Sequence, residues 1–158
     1  MKPGSGIPSL VPLAAFLLLS IAGATAQNGN PKPSPDFGIV ITKKSITSKA
    51  TFIPYKVNGL EMEIIAVKAS DGTIRTALNT CQVCYRSGRG YYKQVGDEFV
   101  CQNCGNRFKV DQVEKIRGGC NPVPILEGDK TDRGDTIGIS KAYLESVAPY
   151  FAYWKKRG

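Results

Sequence analysis

Two C-x-x-C pairs, Cys81-Gln82-Val83-Cys84 and Cys101-Gln102-Asn103-Cys104, stand in a chain of 158 residues that contains no histidine. Each pair closes a tight knuckle that aims two sulfurs at one point. Two knuckles at the ends of a hairpin supply a tetrahedral set of thiolates. Such a set takes one soft cation or a small iron–sulfur cluster. The missing histidines exclude a histidine-ligated Rieske cluster, and neither pair is followed by the histidine of a c-type haem attachment. Cys81, Cys84, Cys101 and Cys104 are therefore the expected metal ligands, and the fold must bring the two pairs together.

What those thiols can do depends on the compartment. Lys2 is the only charge ahead of an apolar run from Leu10 to Ala22, broken only by Pro12 and Ser20, and Ala24-Thr25-Ala26 offers a small-x-small cleavage site before Gln27. Residues 1–26 read as a secretory signal peptide or, failing cleavage, an N-terminal membrane anchor, because the run is short for a full span. Either form places the body of the protein outside the cytoplasmic membrane, in a periplasm or on the membrane's outer face. Residues 27–36, with Asn30-Pro31-Lys32-Pro33-Ser34-Pro35, lack core-forming side chains and read as a flexible linker. Residues 37–158 are left as one cysteine-rich metal- or iron–sulfur-binding domain.

The domain reads as mainly β. Strands are expected at 38–42, 50–57, 60–68 and 73–78, with Asn58-Gly59 and Asp71-Gly72 as two-residue hairpin turns between the last three. This antiparallel meander feeds directly into Cys81. A further hairpin, 91–95 with 98–100, turns at Gly96-Asp97 and delivers the chain to Cys101. Gly105 follows the second knuckle, where a positive φ lets backbone N–H groups face sulfur, whereas Tyr85 follows the first. Phe108 and Val110 suit a closing strand, 111–116 a turn or short helix, and 141–147 a C-terminal helix interrupted by Pro149 before Phe151 and Trp154. The expected fold is a Rieske-like or zinc-ribbon-like antiparallel sheet carrying a two-knuckle, all-cysteine site and a C-terminal helix.

A fifth cysteine, Cys120, sits in Arg117-Gly118-Gly119-Cys120-Asn121-Pro122, where glycines permit close backbone approach and prolines fix the path. It is a packed free thiol, an extra ligand, a sulfur hydrogen-bonded beside the cluster, or a redox thiol. The segments around Cys81 and Cys84, then Phe99-Val100-Cys101-Gln102-Asn103-Cys104-Gly105-Asn106-Arg107-Phe108, then Gly118-Gly119-Cys120-Asn121-Pro122 together resemble the FtrD-like family of membrane iron–sulfur proteins over about residues 50–147. The resemblance implies an extracytoplasmic redox or metal protein associated with ferrous-iron uptake, and Cys81, Cys84, Cys101, Cys104 and Cys120 are the candidate residues around its iron–sulfur cluster or iron. Many relatives carry several membrane helices ahead of this domain, whereas this chain has at most one. The strand-knuckle-strand arrangement is also similar to the cluster-binding half of Rieske domains.

The formal charge is +8. Nucleic acid is not the expected partner of an exported protein, so a membrane redox or iron-transport protein, or membrane association through the N-terminus, fits the basic excess better. Within the cysteine-bearing stretch Arg86, Arg89, Lys93, Arg107, Lys109, Lys115 and Arg117 outnumber Asp97, Glu98, Asp111 and Glu114. That face is either solvated or a docking collar for an acidic redox partner. Three functions compete: an electron-transfer or metal-relay protein, a structural zinc ribbon stiffening a binding module, and a C-x-x-C thiol oxidoreductase. The last is disfavoured because thioredoxin-like chemistry uses one such motif at a helix start. Hydrolytic catalysis lacks a histidine base, so a non-enzymatic redox or metal-binding role is expected over an enzymatic one.

Overall fold

The computed structural model describes residues 36–156; the expected leader and nearly all of the linker lie outside that range. Strand β1 (Phe37–Thr42) leads through a 3-10 turn to β2 (Thr51–Val57), β3 (Leu60–Lys68) and β4 (Ile74–Cys81). Strands β5 (Tyr92–Val95), β6 (Glu98–Cys101) and β7 (Arg107–Lys109) follow. Then come β8 (Pro122–Pro124), β9 (Lys130–Asp132), β10 (Thr136–Ser140) and helix α1 (Lys141–Val147), which runs into a 3-10 turn over Ala148–Phe151. The β-rich class and the C-terminal helix agree with the sequence reading.

The meander forms as expected except at its second turn. Asp71-Gly72 is not a two-residue turn, because β3 and β4 pair from Lys68 with Ile74 and the Ala69 N–H donates to the Thr73 carbonyl, leaving residues 70–72 as the loop. Strands β2 and β3 pair from Thr51 with Ala66 to Val57 with Leu60. Asn58 and Gly59 both take positive φ, at 47° and 81°, the left-handed pair that a twisted two-residue hairpin requires. Strand β4 then pairs antiparallel with β3, and the third expected hairpin joins β5 to β6 with Tyr92 opposite Cys101.

The strands separate into three sheets, ordered β1-β10-β9, β2-β3-β4-β8 and β5-β6-β7. Strand β1 does not join the meander; it pairs with β10, Ile41 facing Ile137. The central sheet carries apolar groups on both faces, as a middle layer must. On β3, Met62, Ile64 and Ala66 point into a core with Ile39, Ile41, Ile137, Ile139, Leu144, Phe151 and Trp154. The alternate residues Ile65 and Val67 enter a second core with Ala77, Cys81, Tyr92, Phe99, Cys101 and Phe108.

Helix α1 starts where the Ser140 side chain accepts a hydrogen bond from the Tyr143 N–H at 3.2 Å, satisfying one of the unpaired donors of a helix N-terminus. It buries Leu144 in the first core. Pro149 cannot continue the helical hydrogen-bond ladder. The chain tightens into the 3-10 turn that places Phe151 against Trp154, their ring centroids 5.2 Å apart.

Candidate metal centre

The sheet ends create the site. Strand β4 terminates at Cys81 and β6 at Cys101, so each knuckle grows from a hydrogen-bonded strand. In the first, the Cys84 N–H points at the Cys81 sulfur at 3.3 Å and the Tyr85 N–H reaches the Cys81 carbonyl at 3.1 Å. In the second, Gly105, at φ 75°, donates its N–H to the Cys101 carbonyl at 2.9 Å.

Tyr85 takes no positive φ; Gly88 does, at 76°, three residues later. The loop containing it is pinned by the C-terminal segment, since the Gly88 N–H donates to Tyr153 and the Gly88 carbonyl accepts from Lys156. Gly90 is required for a different reason. A Cβ there would collide with the Cys84 carbonyl, so this close crossing of the knuckle admits only hydrogen.

A third arm brings Cys120. Pro122 on β8 pairs with Cys81, the Asn106 side chain donates to the Cys120 carbonyl at 2.8 Å, and the Gly118 N–H donates to the Gln82 side chain at 3.2 Å. The Cys120 sulfur thus sits between the knuckles, 3.2 Å from that of Cys81, 3.9 Å from Cys84 and 2.9 Å from Cys104. None of the five cysteines forms a disulfide.

Cys81, Cys84, Cys101 and Cys120 present sulfurs that all lie within 4.8 Å of one another. Cys104, expected among the four ligands, stands at the exposed rim in contact with Cys120. A metal–thiolate bond of about 2.3 Å gives tetrahedral sulfur–sulfur edges of about 3.8 Å. The observed spacing has that scale, and soft sulfur donors without nitrogen or oxygen suit iron or zinc.

The depth of the sulfurs differs. Cys81 and Cys101 are buried, Cys84 and Cys120 half-buried. Burial pushes the Cys84 thiol up to about 11 and also raises Cys101 and Cys120. It opposes ionisation of Cys81 as well, but hydrogen bonds from Tyr92, the Cys84 N–H and Cys120 outweigh it and lower that thiol. The hydrogen bond with Cys120 brings Cys104 down to about 7. Five crowded thiols cannot all ionise without a compensating cation, and a bound metal supplies one.

One residue at the centre escaped the sequence reading. Tyr92 is buried, and its hydroxyl stands 3.8 Å from the Cys120 sulfur. As an aromatic in a short strand it gave no signal of its own. The basic collar is partly self-neutralised, because Arg107 pairs with Glu98 at 2.7 Å and Lys115 with Asp71 at 3.4 Å. Arg86 stacks over the Tyr85 ring, 5.3 Å from its centroid.

Three layers of short antiparallel strands ending in an all-cysteine cluster define a β-rich metal- or iron–sulfur-binding domain. The model of the FtrD-like family, membrane iron–sulfur containing proteins, matches residues 46–151, and the chain belongs to that family. The family and the cysteine cluster together make its cofactor an iron–sulfur or metal centre. No curated protein matches the sequence. Among solved structures, a quaternary ammonium Rieske monooxygenase, CntA, in complex with an inhibitor is similar at 16% identity and a TM-score of 0.41. The match covers 67% of this chain and 32% of that one, so this chain spans about a third of the enzyme's length. Among the described residues, no helix is long and apolar enough to cross a membrane.

Proposed function

We propose that the protein is an exported electron-transfer or metal-relay protein serving a membrane iron-uptake or redox system. The reading rests most heavily on one observation: five sulfurs from three separate chain segments converge at the edge of the domain, graded from fully buried Cys81 to exposed Cys104. A purely structural ion needs four ligands and no such open rim. Iron bound there would supply one-electron chemistry. The chain's own residues do the rest: Cys81, Cys84, Cys101 and Cys120 form the inner set, the Phe99 and Phe108 side excludes water, and Cys104 marks the edge through which a partner would exchange electrons or metal.

The apolar run from Leu10 to Ala22 with its small-x-small site, and the iron–sulfur membrane family, support an extracytoplasmic setting. Zinc would be held by the same donors and is the second reading, as a structural ribbon. The two separate on full-length protein purified without air, assayed for iron, zinc and sulfide, and titrated under a visible-light spectrometer. Iron with charge-transfer bands that bleach reversibly on reduction is the expected result. Colourless, redox-silent protein with one zinc would overturn the electron-transfer assignment.

A further inference from the structure

We infer that Tyr92 is the hydrogen-bond donor that tunes the reduction potential of the sulfur centre, and that Asn79 is the residue that positions it. The inference rests on the redox reading of the same site. A phenol hydroxyl taken out of water is costly unless it finds a partner. The Tyr92 side chain lies in the core at 1% exposure. Its hydroxyl lies 3.8 Å from the Cys120 sulfur, within reach of a hydrogen bond to sulfur. The group is therefore directed at the sulfur centre.

Its placement is held from both sides. The Asn79 carbonyl oxygen accepts the Tyr92 N–H at 2.8 Å, and the Asn79 amide donates to the Tyr92 carbonyl at 3.3 Å and to Glu63 at 2.5 Å. Asn79, itself 1% exposed, belongs to β4, two residues before Cys81. One strand thus carries both a sulfur and the clamp on the donor facing it. Across the β5–β6 ladder Tyr92 is opposite Cys101, while its hydroxyl reaches the Cys120 sulfur.

A donor aimed at ligand sulfur stabilises the more negative, reduced centre more than the oxidised one, and so raises its potential. Tyr92→Phe keeps the ring and removes only the hydroxyl. In the full-length protein the reduction equilibrium should become about tenfold less favourable, a fall of about 59 mV for one electron, with metal content and thermal midpoint essentially retained. Asn79→Ser, which loosens the clamp and leaves the hydroxyl, should shift the potential in the same direction by less.

Midpoint potentials come from anaerobic titration followed by visible absorption, with metal content measured in parallel. A wild type that titrates reversibly while Tyr92→Phe keeps the same potential overturns the tuning role alone. Loss of metal from a folded Tyr92→Phe protein would make the hydroxyl an assembly element and overturn it too. A wild type without a redox transition would overturn the redox reading and this role together.

Discussion

The two faces of β3 look into two unlike cores. One is aliphatic and wide: Met62, Ile64 and Ala66 meet both strands of the β1–β10 pair, helix α1 and Trp154, across partner strands of seven and eight residues in β2 and β4. The other contains two of the site's cysteines, and its covering strands have four, four and three residues. Each fully buried aliphatic or aromatic side chain contributes about 1.5–3 kcal/mol, and the first core holds more of them than the second. The second has Phe99, Phe108, Tyr92, Val110 and Val113 on its outer side, and where a large core would continue it has thiols. A small β-layer of this kind often depends on a staple, and a metal held by these thiols would be one.

The largest expected effect breaks that pairing apart. Metal binding to a thiolate set is also folding energy, about 10–16 kcal/mol for structural zinc in small finger peptides. Chelation under reducing conditions should therefore loosen residues 92–109 while β1, β3 and β10 stay folded. Native-state hydrogen exchange read by mass spectrometry would show this as lost protection confined to β5, β6, β7 and the 116–121 loop. Uniform loss across both cores would mean that they form one cooperative unit, and the comparison would fail.

A sharper cut separates Cys104 from Cys120. Sequence spacing assigns the four ligands to the knuckles, whereas the compact four-sulfur group contains Cys120 and places Cys104 on the rim. With Cys120 as an inner ligand, Cys120→Ser should lower metal affinity at least as much as Cys81→Ser does. Cys104→Ser should retain the metal, with a change no greater than the roughly 10–100-fold typical of residues just outside the ligand set. Metal stoichiometry after competition with a chelator decides it. The reverse order, metal kept in Cys120→Ser and lost in Cys104→Ser, would restore the two-knuckle set.

The parts of the fold that were legible in the sequence are those fixed by local chemistry. Asn58-Gly59 announces its turn because few other pairs accept two positive φ values, and the cysteine pairs announce knuckles by spacing alone. Pairing of β1 with β10 was not legible, because Ile41 and Ile137 are joined by a contact across most of the chain and no local signal encodes it. Strand β8, Pro122-Val123-Pro124, has no counterpart in the expected strands, since its prolines only signalled a fixed path. It survives at the sheet edge next to β4, where missing N–H groups cost least. The stretch 111–116, expected as a turn or short helix, overlaps a 3-10 turn over Val110–Gln112. Within it Glu114 takes φ 67° and bonds to Thr76 and Lys130. Cys120 was suspected from its glycines, but only β8 pairing beside Cys81 explains its central place. Tyr92 gave no sign at all, since a buried tyrosine with a sulfur partner and one that merely packs are spelled alike.

The smallest expected effect tests the aliphatic core by itself, in the chelated protein, where sulfur chemistry no longer contributes. Asp132 on β9 accepts from Lys43 at 2.6 Å and from the Gly134 N–H at 2.9 Å. The bond to Lys43, then that to Gly134, holds its carboxyl below the ordinary carboxylate range, with Lys130 adding a favourable charge. A carboxyl whose folded value is depressed stabilises the fold at pH above its unfolded value, about 3.9. That stabilisation is lost as pH falls toward the folded value. The residual thermal midpoint of the chelated wild type should therefore drop as pH is lowered from about 5. In Asp132→Asn the same profile should be flatter, lower than wild type at neutral pH and meeting it in acid. The pair is exposed, so the difference is small and shrinks with salt. Parallel profiles for the two proteins would show that the Lys43–Asp132 contact does not stabilise the β1–β10–β9 sheet, leaving burial alone to account for the core that outlasts the metal.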